Sequence, residues 1–402
     1  MTVVTAATAS HVPSNDLLDA AHGLDANTIE LRRAIHADPE LGLDLPATQA
    51  KILDALTGLG LDITLGESLT SVVADLDSGK PGPTVLLRGD MDALPLQEDY
   101  ETDFQSRHQG RMHACGHDAH VAMLASAARL LSENTDEFTG KIRFMFQPGE
   151  EGFGGAKLMI DEGVTNGVDR AFAIHVISNM PDGMIFTKGG SLMASADTFH
   201  ITIHGAGGHA SAPHHAIDPI PAAAATVLGL HTMVGRTIDP TQSGLLTVGQ
   251  IHAGTTNNVI PPSAFMEGTV RALDETTRAE INESIDRVAS GTAAAHGCSC
   301  TTTLAAGYPV TVNDIEQAAL TGLVASSVLG AQNYHEMPRA VLGAEDWSYV
   351  LQKVPGSMAF LGVTPSDLDP SKAAPNHSNL MRISEEKLAN GVALYAAMAL
   401  VR

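Results

Sequence analysis

Phe199-His200-Ile201-Thr202-Ile203-His204 alternates apolar and polar residues without a break. A period of two marks a strand with one face buried and one exposed, the antiparallel type. Before it, the apolar runs are short, continuous and bounded by Gly, Pro and Asp, at 71–75, 84–87, 142–146 and 171–176. The segment 28–61 has helical spacing, with Leu31 and Ile35, a break at Pro39, then Ile52, Leu53, Leu56 and Leu59. Between the second and third runs lies 119–131, with Val121, Leu124, Ala128 and Leu131 on one helical face. Strands alternating with helices predict an α/β layer on a largely parallel sheet.

After His204 the order changes. An Ala-rich helix at 219–234 precedes strands at 245–251 and 264–271, a helix at 275–295 and a strand near 301–305. Strand, helix, two strands, helix, strand is the ferredoxin-like α+β order. Beyond 313 the first pattern returns, with a strand at 358–363 and a terminal helix at 385–400. The expected organisation is a domain of 1–194 and 312–402 with a second domain, 195–311, inserted into it. A chain of 402 residues also exceeds the size at which one core keeps growing.

The charge balance of 23 basic against 46 acidic residues opposes nucleic acid or anionic membrane as partner. No run reaches the 18 or so apolar residues of a membrane span. Three cysteines in a chain this long make no disulfide framework, and Cys298 and Cys300 read as reduced structural residues. The segment 1–19 lacks the basic and apolar regions of a secretory signal and reads as a frayed arm. The expected compartment is the cytoplasm.

Chemistry-bearing residues gather at the strand ends, where open α/β sheets bind ligands. Met112-His113-Ala114-Cys115-Gly116-His117-Asp118 precedes the helix at 119–131. On its own, Cys-x-His also fits a buried structural cysteine beside a helix-capping histidine, with Asp118 as a cap. Gln147-Pro148-Gly149-Glu150-Glu151-Gly152 follows the run at 142–146, His175 ends the next strand, and His377 lies in Pro375-Asn376-His377-Ser378. Each alone fits a solvated loop or a structural role. Together, thiol, imidazole and carboxylate suit a borderline divalent ion such as zinc, manganese, cobalt or nickel.

Six ordered motifs add to this. Asp90-Met91-Asp92-Ala93-Leu94-Pro95, His113 to Asp118, Gln147 to Gly152, Gly205-Ala206-Gly207-Gly208-His209-Ala210, Asn258-Val259-Ile260-Pro261 and Gly343-Ala344-Glu345-Asp346-Trp347 resemble the M20 metallopeptidase family. The likeness is to the subgroup of aminoacylases, hippurate hydrolases and plant auxin-conjugate hydrolases, and it runs from about Leu31 to the C-terminus. It implies a zinc-peptidase catalytic domain of the phosphorylase/hydrolase-like α/β class with a ferredoxin-like lid that dimerises the protein. It implies two divalent ions held by Cys115, His117, Glu151, His175 and His377, without Asp90. Glu150 becomes the general base, His209 an oxyanion donor that in dimeric relatives serves the neighbouring subunit, and Asn258 and Arg271 the holders of a substrate carboxylate. Cys115 takes the place of the usual bridging carboxylate, which predicts metal preference and sensitivity to oxidation and thiol reagents.

The resemblance implies cleavage of an N-acyl amino acid or related amide, by a homodimer or homotetramer. A dipeptidase or carboxypeptidase keeps the same chemistry, and a non-catalytic binding protein on this scaffold is the rival of another class. Leu45-Pro46, Ala206, Ser378-Asn379 and Trp347 depart from the family pattern and bear on substrate preference rather than on the donor set.

Overall fold

The computed structural model describes residues 16–401. Most of the arm expected at 1–19 lies outside them. Its last residues are helical, because Asp16–His22 forms a helix whose Ala21 is buried. The chain divides into two compact units: one runs to Gly190 and includes Val312–Arg339 and the chain from Asp346, and the other is Ser191–Thr311 with Ala340–Glu345.

The first unit is built on eight strands, ordered Asp62–Leu65, Val72–Asp77, Lys141–Gln147, Thr84–Asp90, Arg170–Ile177, Gly356–Gly362, Ile185–Thr187 and Tyr334–Glu336. The four central strands, from Lys141–Gln147 to Gly356–Gly362, are mutually parallel. Antiparallel pairing appears towards both edges, so the sheet is mixed rather than largely parallel. The central strands read as unbroken apolar runs because helices cover both their faces. His117–Ser132 is buried along almost its whole length, and every residue of Leu388–Leu400 is buried. Such all-round burial explains why that last helix is apolar on every face. The helical pattern at 28–61 resolves into Asp25–His36 and Pro46–Leu56, with Pro46 in the first turn where its missing N–H costs nothing.

The second unit is a four-stranded antiparallel sheet, ordered Gly244–Ala253, Ser263–Ala272, Asp197–His204 and Ser299–Ala306. Phe199, Ile201 and Ile203 are buried and the residues between them are not, as their alternation predicts. They pack with Leu230 and Met233 of Pro219–Thr237 and with Ile281 and Ile285 of Glu275–Ala295. Asp218 and Asp274 cap these helices, accepting from Ile220 N (3.0 Å) and Thr277 N (2.7 Å). Ala340–Glu345 joins this unit through backbone pairing: Val341 N donates to Leu192 O (2.9 Å), and Ala194 N donates to Val341 O (3.1 Å).

Candidate metal centre

Parallel neighbours bring their C-terminal ends to one edge, and the candidate donors of the first unit hang from those ends. Asp90 and Asp92 close the strand Thr84–Asp90, Glu150 and Glu151 follow Lys141–Gln147, and His175 lies within Arg170–Ile177. Cys115 and His117 sit at the turn into the helix His117–Ser132. Gly116 forms that turn at φ 90°, and a Cβ there would stand 2.3 Å from Val176 Cγ2. Only glycine lets the two donors approach the neighbouring strand this closely.

Donor atoms of Cys115, His117 and His175 lie within 4.8 Å of one another, as do those of Cys115, Glu151 and His377, and those of His117, Glu150 and Glu151. Cys115 Sγ is 3.3 Å from His175 Nε2, and His377 Nε2 is 3.2 Å from Glu151 Oε1. Each of the two buried imidazoles is turned by its other nitrogen. His117 Nδ1 donates to the Asp92 carbonyl (2.8 Å) and His175 Nδ1 to the Val176 carbonyl (2.7 Å). Both Nε2 atoms are thereby aimed into the cluster, the arrangement that metal-binding histidines adopt. His117 Nε2 and Glu151 Oε1 are buried there without a hydrogen bond. Their nearest charged neighbours, Asp90 Oδ2 for His117 (3.4 Å) and His377 Nε2 for Glu151 (3.2 Å), are placed without hydrogen-bond geometry, and a cation answers both an imidazole lone pair and a carboxylate oxygen.

The charges agree. Burial pushes the Cys115 thiol up to about 12, so without an ion it is protonated. Burial lowers His117, but Asp90, Cys115 and Asp92 together outweigh it and hold the ring well above the usual imidazole range. Burial, with His120 and His117 nearby, holds His175 well below that range. Burial raises Glu151, but His377 and His117 outweigh it and leave the carboxyl below its ordinary value.

Asp92 fixes the carboxylate loop by accepting from Glu150 N (2.9 Å) and Glu151 N (3.0 Å). Gly149, at φ 74°, makes the turn that adjacent glutamates need to serve one site. His377 is the one non-glycine with positive φ among the described residues (68°), and its N–H donates to Ala114 O (2.7 Å). Asn376 Nδ2 donates to Cys115 O (2.9 Å) and Val176 O (3.0 Å), so the His377 loop is tied to both neighbouring donor segments.

The remaining site candidates lie in the second unit. His209 pairs with Val259 in a short antiparallel ladder, and Ala210 N donates to Asn258 O (3.1 Å), so His209 and Asn258 are neighbours. The His209 ring accepts from Ser211 N at 3.1 Å. Arg271 is not with them. It sits near the far end of Ser263–Ala272, roughly 26 Å along the strand from Ser263 at about 3.3 Å per residue. Asn258 lies five residues before Ser263. Within one chain, Asn258 and Arg271 therefore do not grip one carboxylate.

Asp118, for which the sequence leaves a helix cap as one alternative, accepts from Arg32 Nε (3.0 Å) and His36 Nδ1 (2.8 Å). Sequence reasoning missed what Asp92 and Asn376 do: Asp92 carried a signal in its motif, but the partners of Asn376 lie in segments distant in sequence.

Residues 86–401 match the family described as Peptidase family M20/M25/M40. Thermostable carboxypeptidase 2 of Saccharolobus solfataricus is 41% identical, over 92% of this chain and 94% of its own. IAA-amino acid hydrolase ILR1-like 2 of Arabidopsis thaliana is 38% identical, over 92% and 84%. The Bacillus subtilis YXEP protein, a dinuclear metal binding peptidase from the M20 family, superposes with a TM-score of 0.82 at 32% identity, covering 94% of this chain and 98% of that one.

Proposed function

Because the chain belongs to peptidase family M20/M25/M40, we propose that it is a metal-dependent amidohydrolase that cleaves N-acyl amino acids or related amide conjugates. One observation carries this: Cys115 belongs to two separate three-donor groups, one completed by His117 and His175 and the other by Glu151 and His377. Two donor groups with Cys115 in common would hold a pair of divalent ions, and a thiolate among the donors favours zinc, cobalt or nickel over the harder manganese, magnesium or calcium. The dinuclear peptidase of Bacillus subtilis supports the count of two.

When bound, two such ions acidify a water and polarise the scissile carbonyl. Glu150, beside Glu151 and held by Asp92 through its backbone, takes the water proton and returns it to the leaving nitrogen. His209 donates to the developing oxyanion and Asn258 binds the substrate next to it, as one element of the second unit. Arg271 serves a substrate carboxylate from a separate position.

The second unit acts as a lid and dimerises the protein. Supporting this, Ile217, Ile220 and Leu228 are exposed on and just before the helix Pro219–Thr237, Leu228 by 70%. Leu228→Glu should yield a lighter species by sedimentation, and an unchanged mass would remove the helix from the interface. No helix among the described residues is long and apolar enough to cross a membrane. The three free cysteines support a reducing compartment, the cytoplasm.

The test is Glu150→Ala in metal-loaded protein against N-acetyl, N-benzoyl and indoleacyl amino acids and dipeptides. Hydrolysis should vanish with metal content intact, and unchanged turnover would refute the base. The alternative is a carboxypeptidase or dipeptidase, favoured by the carboxypeptidase at 41% identity. Faster turnover of dipeptides than of acyl amino acids would select it.

A further inference from the structure

Beneath the candidate donors runs a buried polar chain. Asp346 takes Gln147 Nε2 on both oxygens (2.8 Å each), Arg88 Nη2 (3.1 Å) and Ala156 N (2.9 Å). Arg88 also reaches Gln147 Oε1 with Nε (2.9 Å) and Asp90 Oδ2 with Nη1 (2.7 Å). Asp90 Oδ1 meets His120 Nδ1 at 2.5 Å, and His120 Nε2 accepts from Val176 N (2.8 Å). Arg88, Asp90, His120, Gln147 and Asp346 are all fully buried.

The two ends of this chain fall on the two sides of the ligand cluster. At one end, Asp346 binds both the first residue before the carboxylate loop, Gln147, and a residue just after it, Ala156. Glu150 and Glu151 lie between those anchors. At the other end, the ladder between Thr84–Asp90 and Arg170–Ile177 stops at the pair Arg88 and Ala173. Past that point Val176 N–H has no strand neighbour on that side, and a buried N–H left alone is costly. The His120 ring takes the vacant place. Because Nε2 accepts, Nδ1 carries the proton and donates to Asp90, so the ring has one tautomer and one orientation. Val176's own carbonyl, in the next peptide along, receives His175 Nδ1 (2.7 Å). His120 therefore holds, through the Val176 N–H, the residue whose carbonyl aims His175.

We propose that His120 and Asp346 are positioning residues, the two ends of a rigid buried relay that sets the separation of His175 from the Glu150–Glu151 loop. The inference rests on the metal-centre reading above. It also predicts which contact matters. Gln places an acceptor where His Nε2 was and keeps the Val176 bond. Asn places its amide near the Nδ1 position and keeps only the Asp90 bond. Positioning of His175 needs the first.

Cobalt(II) titrated into the metal-free full-length protein tests this, since its visible bands report coordination geometry and its near-ultraviolet band reports thiolate ligation. His120→Leu and His120→Asn should weaken cobalt binding about 10- to 100-fold and alter the visible bands, with His120→Gln within about threefold of the parent. Asp346→Asn, which sets an amide against three donors, should lower kcat at least tenfold while KM changes less than about threefold. Far-ultraviolet dichroism establishes that each variant is folded. If His120→Leu is not, the comparison of Gln with Asn carries the test. Parental cobalt affinity and bands in His120→Leu, or equal loss in Gln and Asn, would overturn the relay. A parent protein without a thiolate band, indistinguishable from Cys115→Ser, would instead refute the metal centre and leave the relay a structural feature.

Discussion

Metal uptake should expel protons, and the structure gives the count. With its thiol pushed up to about 12 by burial, Cys115 is ionised in roughly one molecule in 10⁵ at pH 7, so ligation must displace its proton. His117, held well above the ordinary imidazole range by Asp90, Cys115 and Asp92 against burial, is protonated as well and must lose one. His175, held below that range by burial, and Glu151, already ionised, contribute none. These four donors release about two protons at pH 7. Binding uses the deprotonated forms, so affinity rises with pH, by up to about 100-fold per unit while both groups remain protonated in the free protein. Titration calorimetry of zinc into the metal-free protein, repeated in buffers of different ionisation enthalpy, measures the number directly. Cys115→Ser should release about one proton fewer than the parent. Equal release by the two, or an affinity flat between pH 6 and 8, would show that the Cys115 proton is not displaced and that the thiol is not a ligand.

Asp92→Ala removes the acceptor of two backbone N–H groups, at about 1–3 kcal/mol each, and should lower both urea stability and metal affinity of the full chain. Unchanged metal affinity would show that the loop is held without it. Gly155→Ala would place a Cβ 1.7 Å from Pro148 O, a backbone atom that cannot step aside. It should cost about 1–3 kcal/mol in thermal unfolding and depress kcat by opening the Glu150–Glu151 loop. Parental kcat in a destabilised variant would separate loop geometry from stability.

What the sequence reveals and what it hides divide along chain distance. The helix Glu275–Ala295 is readable to the residue because its signals are local, an Asp274 cap at one end and Gly297 just beyond the other. The strand Asp197–His204 is readable because its period is local too. The candidate donors are legible for a related reason: each sits in a short polar motif directly after an apolar strand, and parallel strands must end at one edge. Asp118 misleads because its partners are 82 and 86 residues away. The terminal helix begins at Leu388 rather than at 385, since Glu385 is drawn to Arg32 (2.6 Å) and Arg33. Ala340–Glu345 joins the second unit through pairing with Leu192 and Ala194, which no local pattern announces.

The same division runs through the metal centre. A donor is recognisable by its own chemistry, whereas a group that holds a donor is recognisable only by its partner. His120 shows the difference. On a helix with apolar neighbours it reads as one more buried histidine, and nothing local connects it to Val176, 56 residues later. Its role follows from the gap left where one strand ladder stops before the next residue is satisfied. Buried polar side chains beside an interrupted ladder are therefore the place to look for the groups that set a ligand's aim, because a backbone N–H that must be answered there fixes both a ring and its tautomer.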